Sequence, residues 1–266
     1  MKRSAATSLF LLSLAGFVQA QAPAVTAPPA VKPSGTLAPA PPATVKPPPQ
    51  APDVAAPKLG PEGKTNEGFA NAHEKFVTIA KEGKAELLFL GDSITAGWGS
   101  KKNIWDEAFG QYKPANFGIG GDRTQHVLWR IKNGELDGIK PKAVVLMIGT
   151  NNSSSDSVEG IAKGITLIVE TIREKQPQAN ILLLAVFPRG ENASPNLTRD
   201  KLNQVNAIIA KLDDGKKVHY LDIGAKFLQA NGSLTKEIMP DFLHLSEAGY
   251  QIWADAISPK LATLMK

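Results

Sequence analysis

Short apolar runs alternate with stretches of helical periodicity from about residue 64 to the end of the chain. Five runs read as strands: Glu86–Leu90, Ala115–Ile119, Ala143–Ile148, Asn180–Val186 and Lys217–Asp222. The third and fourth, Val144-Val145-Leu146-Met147-Ile148 and Ile181-Leu182-Leu183-Leu184-Ala185-Val186, are apolar at consecutive rather than alternate positions. Such strands need cover on both faces, as central parallel strands have. Helix-period segments separate the runs, around Gly68–Lys81, Thr124–Asn133, Ser157–Lys175, Thr198–Leu212 and Ser246–Leu264. Asp156, ahead of Ser157-Val158-Glu159, is the expected N-cap of the third. Strands alternating with helices of this length predict βαβ units and a doubly wound, mostly parallel five-stranded sheet. Ligands bind such sheets at the carboxyl ends of the strands. Ser93, Gly121 and Asn151 each fall just beyond a predicted strand.

The first 63 residues follow a different pattern. Met1-Lys2-Arg3, the apolar run Leu9 to Val18 and the small-residue ending Val18-Gln19-Ala20 predict a signal peptide over residues 1–20. The run is too short for a permanent membrane span, which predicts an exported chain, secreted or periplasmic, with no integral anchor after cleavage. From Gln21 to Pro61 the chain holds thirteen of its 20 prolines and no aromatic residue. That composition predicts an extended linker over residues 21–63, either a spacer or a leader of no specific role. Residues 64–266 then form one domain. The formal charge of +5 falls to about +2 once the leader and linker are set aside, with both signs interspersed, so there is no nucleic-acid footprint. The chain has no cysteine, which removes disulfides and lipid attachment at cysteine. No repeat is visible.

Candidate chemistry sits at two places. Gly91-Asp92-Ser93 follows the first strand, where a serine at the strand-to-helix turn is exposed. Asp241-Phe242-Leu243-His244 precedes the last helix. A serine hydroxyl needs a base, and a histidine held by a carboxylate supplies one, so Ser93, His244 and Asp241 form a candidate nucleophile, base and orienting acid. The tetrahedral intermediate of acyl transfer also needs donors for its oxyanion. The N–H groups of Ser93 and Gly121 and the side-chain amide of Asn151 are the candidates. Each residue also has a bland reading: Asp92 or Ser93 as a helix cap, the glycines as a turn, and Asn151 as a cap. His73, His126 and His219 read as surface or core-edge residues without chemistry. No His/Cys/carboxylate cluster has metal-ligand spacing, and Gly118-x-Gly120-Gly121 lacks the spacing of a dinucleotide loop. Ile94 and Leu243, beside the nucleophile and the base, are expected to narrow the acyl site and favour short chains.

Four segments in order carry a resemblance: Leu90-Gly91-Asp92-Ser93-Ile94-Thr95, Asn116-Phe117-Gly118-Ile119-Gly120-Gly121-Asp122, Ile148-Gly149-Thr150-Asn151-Asn152 and Asp241-x-x-His244-Leu245. They resemble the four blocks of the SGNH (GDSL-type) hydrolase superfamily. The stretch Asn116 to Leu136 is similar to the catalytic subunits of the intracellular platelet-activating-factor acetylhydrolases, which lack the leader and linker. The resemblance covers most of Glu86 to Leu264. It implies a three-layer α/β/α, flavodoxin-like fold and no metal or organic cofactor. It also implies Ser93 as nucleophile, Gly121 and Asn151 as oxyanion donors, and Asp241 and His244 as acid and base. The expected substrate is a small-molecule or polysaccharide acyl ester, with acetyl favoured. An O-acetyltransferase using the same residues and a carbohydrate-binding module without turnover are the alternatives.

Overall fold

β1 (Leu87–Gly91), β2 (Pro114–Gly118), β3 (Ala143–Met147), β4 (Asn180–Leu184) and β5 (Val218–Leu221) form one fully parallel sheet in the order β2-β1-β3-β4-β5. This is the doubly wound, flavodoxin-like order, in which the chain reverses direction across the sheet between β1 and β3. The structure is a computed structural model and describes residues 49–266. The expected signal peptide and most of the linker lie outside the described residues.

Among the described residues, seven α-helices flank the sheet: α1 (Glu67–Glu82), α2 (Ser93–Ala96), α3 (Lys102–Phe109), α4 (Thr124–Arg130), α5 (Val158–Lys175), α6 (Leu197–Ile209) and α7 (Glu247–Leu264). Alternate strand residues divide the core into two. Leu88, Leu90, Val144, Leu146, Ile181 and Leu183 pack against Val127, Ile161, Ile165, Ile168, Ile172, Leu202 and Val205 of α4, α5 and α6. Leu87, Phe89, Val145, Met147, Leu182 and Leu184 pack on the other side against Trp98, Phe109 and the Trp253, Ile257, Leu261 face of α7. The period of 2 in a strand and the spacing of 3 to 4 in these helices produce the three layers. β1 and β3 are buried at all five positions, as their unbroken apolar runs require, whereas the edge strands β2 and β5 keep partly exposed residues. Burying one such Leu or Phe side chain contributes about 1.5–3 kcal/mol.

The expected strands and helices are all present, with ends shifted by at most three residues. β1 and β2 each begin and end one residue from expectation, and β4 stops at Leu184 instead of Val186. The N-cap of α5 is Ser157 rather than Asp156: its side chain accepts from Gly160 N–H, while Asp156 accepts from Asn152 Nδ2 at 2.7 Å. α2 and α3 were not expected, because four and eight residues carry too few turns to register as a period.

The linker is also shorter than composition suggests. Instead of remaining extended to residue 63, the chain from Gln50 onward is bonded to the domain as a strap. Thr124 Oγ1 donates to the Pro52 carbonyl at 2.6 Å, Ala56 N–H to the Gln125 carbonyl at 3.2 Å, and Lys163 pairs with Asp53 at 2.6 Å. Gly164 of α5 lies so close that a Cβ there would stand 2.4 Å from the Pro52 carbonyl oxygen. The strap ends by pairing Leu59 with Thr65 ahead of α1, whose N-cap Asn66 accepts from Phe69 N–H at 2.9 Å.

Candidate active site

Ser93 opens α2 directly after β1. Asp92 caps that helix by accepting from Ile94 N–H at 3.0 Å, which turns the chain sharply and leaves the Ser93 side chain half-buried at the sheet's carboxyl edge. The turn needs room. Gly118, at the end of β2, touches the backbone behind it, and a Cβ there would sit 2.2 Å from Ala96 N. Asn116 fixes the same junction by donating to the Thr95 carbonyl at 3.0 Å. Ile94 is not at the cleft as expected. Its side chain is buried in the α7-side core, and its carbonyl accepts from the Tyr250 hydroxyl at 2.6 Å.

Ser93 Oγ lies 2.9 Å from His244 Nε2, and His244 Nδ1 lies 2.6 Å from Asp241 Oδ2. Asp241 Oδ1 accepts from the N–H groups of Leu243 and His244 at 3.1 and 2.7 Å, so one carboxylate folds its own loop and holds the ring. Partial burial works to raise the Asp241 carboxyl. The His244 ring and the two N–H bonds outweigh it and hold the group below its ordinary value. Phe242 supports the turn in a left-handed conformation (φ 57°), and its carbonyl accepts from Gly190 N–H at 2.8 Å.

Asp92 is fully buried, and one of its carboxylate oxygens has no partner among the described residues. Burial pushes its carboxyl up to about 7, reinforced by the nearby charge of Asp122.

The loop after β2 closes the site's other wall. Gly121 adopts φ 73°, a conformation that favours glycine, and a Cβ on Gly120 would stand 4.0 Å from Ser93 Cβ. Asn151, in the single 3₁₀ turn after β3, donates its side-chain amide to the Asp122 carbonyl at 2.8 Å. That bond places the amide one residue from Gly121. Neither the Ser93 nor the Gly121 N–H has a protein acceptor among the described residues.

Behind this loop lies a buried charge network that sequence reading missed. Arg130, fully buried, donates from Nε to Asp122 at 2.9 Å, from one terminal nitrogen to Glu135, and from the other to the carbonyls of Gly91 and Phe117 at 3.2 and 3.1 Å. Glu135 also meets His73 Nδ1 at 3.0 Å. The available signal was Asp122, Arg130 and Glu135 falling within one short segment. Of the surface or core-edge placements expected for His73, His126 and His219, it is the inner one that all three take, each being buried. The His126 ring, hydrogen-bonded to Arg123 N–H and Gln50, is held down to about 3 by burial and then by the charges of Lys58, Arg123 and Arg130.

Beside Asp241 opens a cleft of about 360 Å³ lined by Arg189, Gly190, Asn196, Thr198, Phe242 and Leu243. Arg189 also reaches the Thr150 carbonyl and hydroxyl at 3.3 Å, tying this wall to the Asn151 turn. No group of three or more His, Asp or Glu side chains among the described residues converges in a way that would hold a metal ion.

A parallel sheet carrying a hydrogen-bonded serine, histidine and aspartate at its carboxyl edge defines an α/β protein with the groups that acyl transfer uses. The sequence matches the GDSL-like Lipase/Acylhydrolase family over residues 89–252. It is 41% identical over 198 residues to human platelet-activating factor acetylhydrolase IB subunit alpha1, covering 74% of this chain and 84% of that one. The rat alpha2 subunit is 41% identical over 74% of this chain and 85% of its own length. Among solved structures, a GDSL-like lipase from Bacteroides thetaiotaomicron aligns with a TM-score of 0.57 at 19% identity, over 72% of this chain and 97% of its own. A catalytic variant of an acetylxylan esterase from Geobacillus stearothermophilus aligns with a TM-score of 0.53 at 19% identity, over 70% and 96%. The chain belongs to the GDSL-like lipase/acylhydrolase family and is a carboxylic ester hydrolase.

Proposed function

We propose that this chain is an exported esterase that removes short acyl groups, acetyl foremost, with Ser93 as nucleophile, His244 as base and Asp241 as orienting acid. The observation that carries the reading is the continuous relay Ser93 Oγ–His244 Nε2–His244 Nδ1–Asp241, at 2.9 and 2.6 Å. His244 Nε2 takes the Ser93 proton as Oγ attacks the ester carbonyl. Asp241, kept ionised by its bonds, holds the Nδ1 proton and stabilises the imidazolium. Negative charge on the former carbonyl oxygen meets the N–H groups of Ser93 and Gly121 and the Asn151 amide. The ester C–O bond then breaks, and the departing alkoxide takes the proton from His244. Water, deprotonated by the same ring, attacks the acyl-enzyme, and the second collapse returns the proton to Ser93 and frees the acid.

Acetyl preference is supported by the names of the relatives, both acetyl-ester hydrolases, and by Leu243 lining the cleft beside the base. The asparagine, threonine and arginine of that cleft suit a polar alcohol, as in a polysaccharide or another hydroxyl-rich ester. Export is supported by the basic start, apolar run and Ala20 site of the leader. The test is hydrolysis of p-nitrophenyl acetate, butyrate and octanoate, with fluorophosphonate labelling alongside. The rate is expected to fall with chain length, and Ser93→Ala is expected to lose both turnover and labelling at an unchanged melting temperature. Ser93→Ala retaining wild-type turnover sinks the proposal, and a maximum at octanoate sinks the acyl preference.

A further inference from the structure

Lys58 lies in the strap, thirty-five positions before Ser93, in a segment with no apparent chemistry. Its ammonium nevertheless reaches the loop that follows β2. Nζ donates to the Gly120 carbonyl at 2.5 Å and stands 3.0 Å from Asp122 Oδ1. One cation therefore grips the residues on both sides of Gly121. The contact to Asp122 is an ion pair without hydrogen-bond alignment, so the directed bond is the one to Gly120. The lysine side chain is 18% exposed and Asp122 is completely buried.

The Gly120 carbonyl and the Gly121 N–H belong to the same peptide group. That group is planar and trans, so its C=O and N–H point in opposite directions. Holding the oxygen from the strap side sets the plane and aims the N–H away from Lys58, on the side of the loop where Gly120 approaches Ser93. A charged donor on the carbonyl also polarises the amide and strengthens its N–H as a donor. Glycine at both positions leaves this peptide with little steric restraint of its own, and Gly121 already sits at φ 73°.

We propose that Lys58 is a positioning residue for ester hydrolysis, orienting and polarising the Gly120–Gly121 peptide so that its N–H receives the oxyanion. The proposal rests on the esterase reading above. It makes the strap part of the working enzyme. The strap's bonds from Pro52 and Ala56 to α4 hold Lys58 in register, whereas the partly exposed Asp53–Lys163 pair ties a part of the strap five residues away.

The test uses the full chain and p-nitrophenyl acetate. Lys58→Met is expected to lower kcat about tenfold with KM within about twofold, a fraction of the 10²–10³ that loss of an oxyanion donor costs. Lys58→Arg keeps a charged donor and restores most of the rate, whereas Lys58→Gln, which can donate without charge, falls between. Asp53→Asn loosens the strap elsewhere and leaves kcat unchanged. A second readout needs no substrate. The ¹⁵N resonance of Gly121 reports hydrogen bonding to the carbonyl of its own peptide, and it shifts in Lys58→Met and Lys58→Gln but not in Asp53→Asn. Wild-type kcat in Lys58→Met, or an unmoved Gly121 resonance, overturns the proposal while leaving the esterase reading intact. A wild-type enzyme that hydrolyses no ester overturns the esterase reading itself.

Discussion

Asp92→Asn should stabilise the protein, by an amount that grows with pH. The carboxyl is fully buried, one oxygen lacks a partner among the described residues, and its value rises from 3.8 to about 7, through burial first and then the charge of Asp122. Between those two values the native state keeps a proton that the unfolded chain has released. Raising the pH through this window therefore weakens the fold, and the full penalty is present above about 7. Three pH units at 1.36 kcal/mol each set that penalty at up to about 4 kcal/mol. Asparagine keeps an oxygen for Ile94 N–H and carries no charge to desolvate. Wild-type stability alone will not display the effect. His126, lowered to about 3, adds stability as pH rises from about 3 to 6.5 and so slopes the opposite way. The difference between Asp92→Asn and wild type cancels His126 and isolates Asp92. Urea unfolding at pH 4.5, 6 and 8, followed by fluorescence of the buried tryptophans Trp98 and Trp253, should show a gap of several kcal/mol opening toward pH 8. A gap constant with pH, or one that reverses, refutes the reasoning.

Asn151→Ala should cut kcat for p-nitrophenyl acetate by about 10²–10³ with little change in KM, and a rate within threefold of wild type would remove Asn151 from the oxyanion site. Arg130→Met leaves Asp122 and Glu135 facing each other in a buried site without the guanidinium between them. It should cost about 3–5 kcal/mol in urea unfolding, and a loss under about 1 kcal/mol would contradict the account.

The sheet was legible because its central strands are apolar on both faces, and no other architecture buries runs such as Val144–Ile148 and Ile181–Val186 so readily. Ser93, Gly121 and Asn151 were legible as a set because each follows a strand. The structure brings the Gly120–Asp122 loop beside Ser93 and bonds the Asn151 amide to it. Ile94 misled because adjacency in sequence is not adjacency in space: on the short α2, successive side chains diverge, and the one after Ser93 turns into the core. The strap misled for another reason. Proline and alanine are poor core formers, so composition reads them as linker, yet Pro52 packs onto Gly160 and Gly164 of α5, where the absence of side chains makes a seat for it. Arg130 was hidden because a buried cation is recognised by its partners, and those come from β1, β2 and the turn after α4.

The distance along the chain between Ser93 and His244, 151 positions, has a kinetic meaning. Ser93 stands on the first crossover, while Asp241 and His244 come after β5, just ahead of α7. Contacts of such wide separation form late, because the intervening loop must be closed before they are rewarded. The loop that carries His244 to Ser93 is anchored by α7, whose Trp253 packs against Trp98 and Phe89. On the proposed roles, a chain in which α7 has not yet docked holds the nucleophile without its base, so hydrolysis waits for the last layer of the molecule.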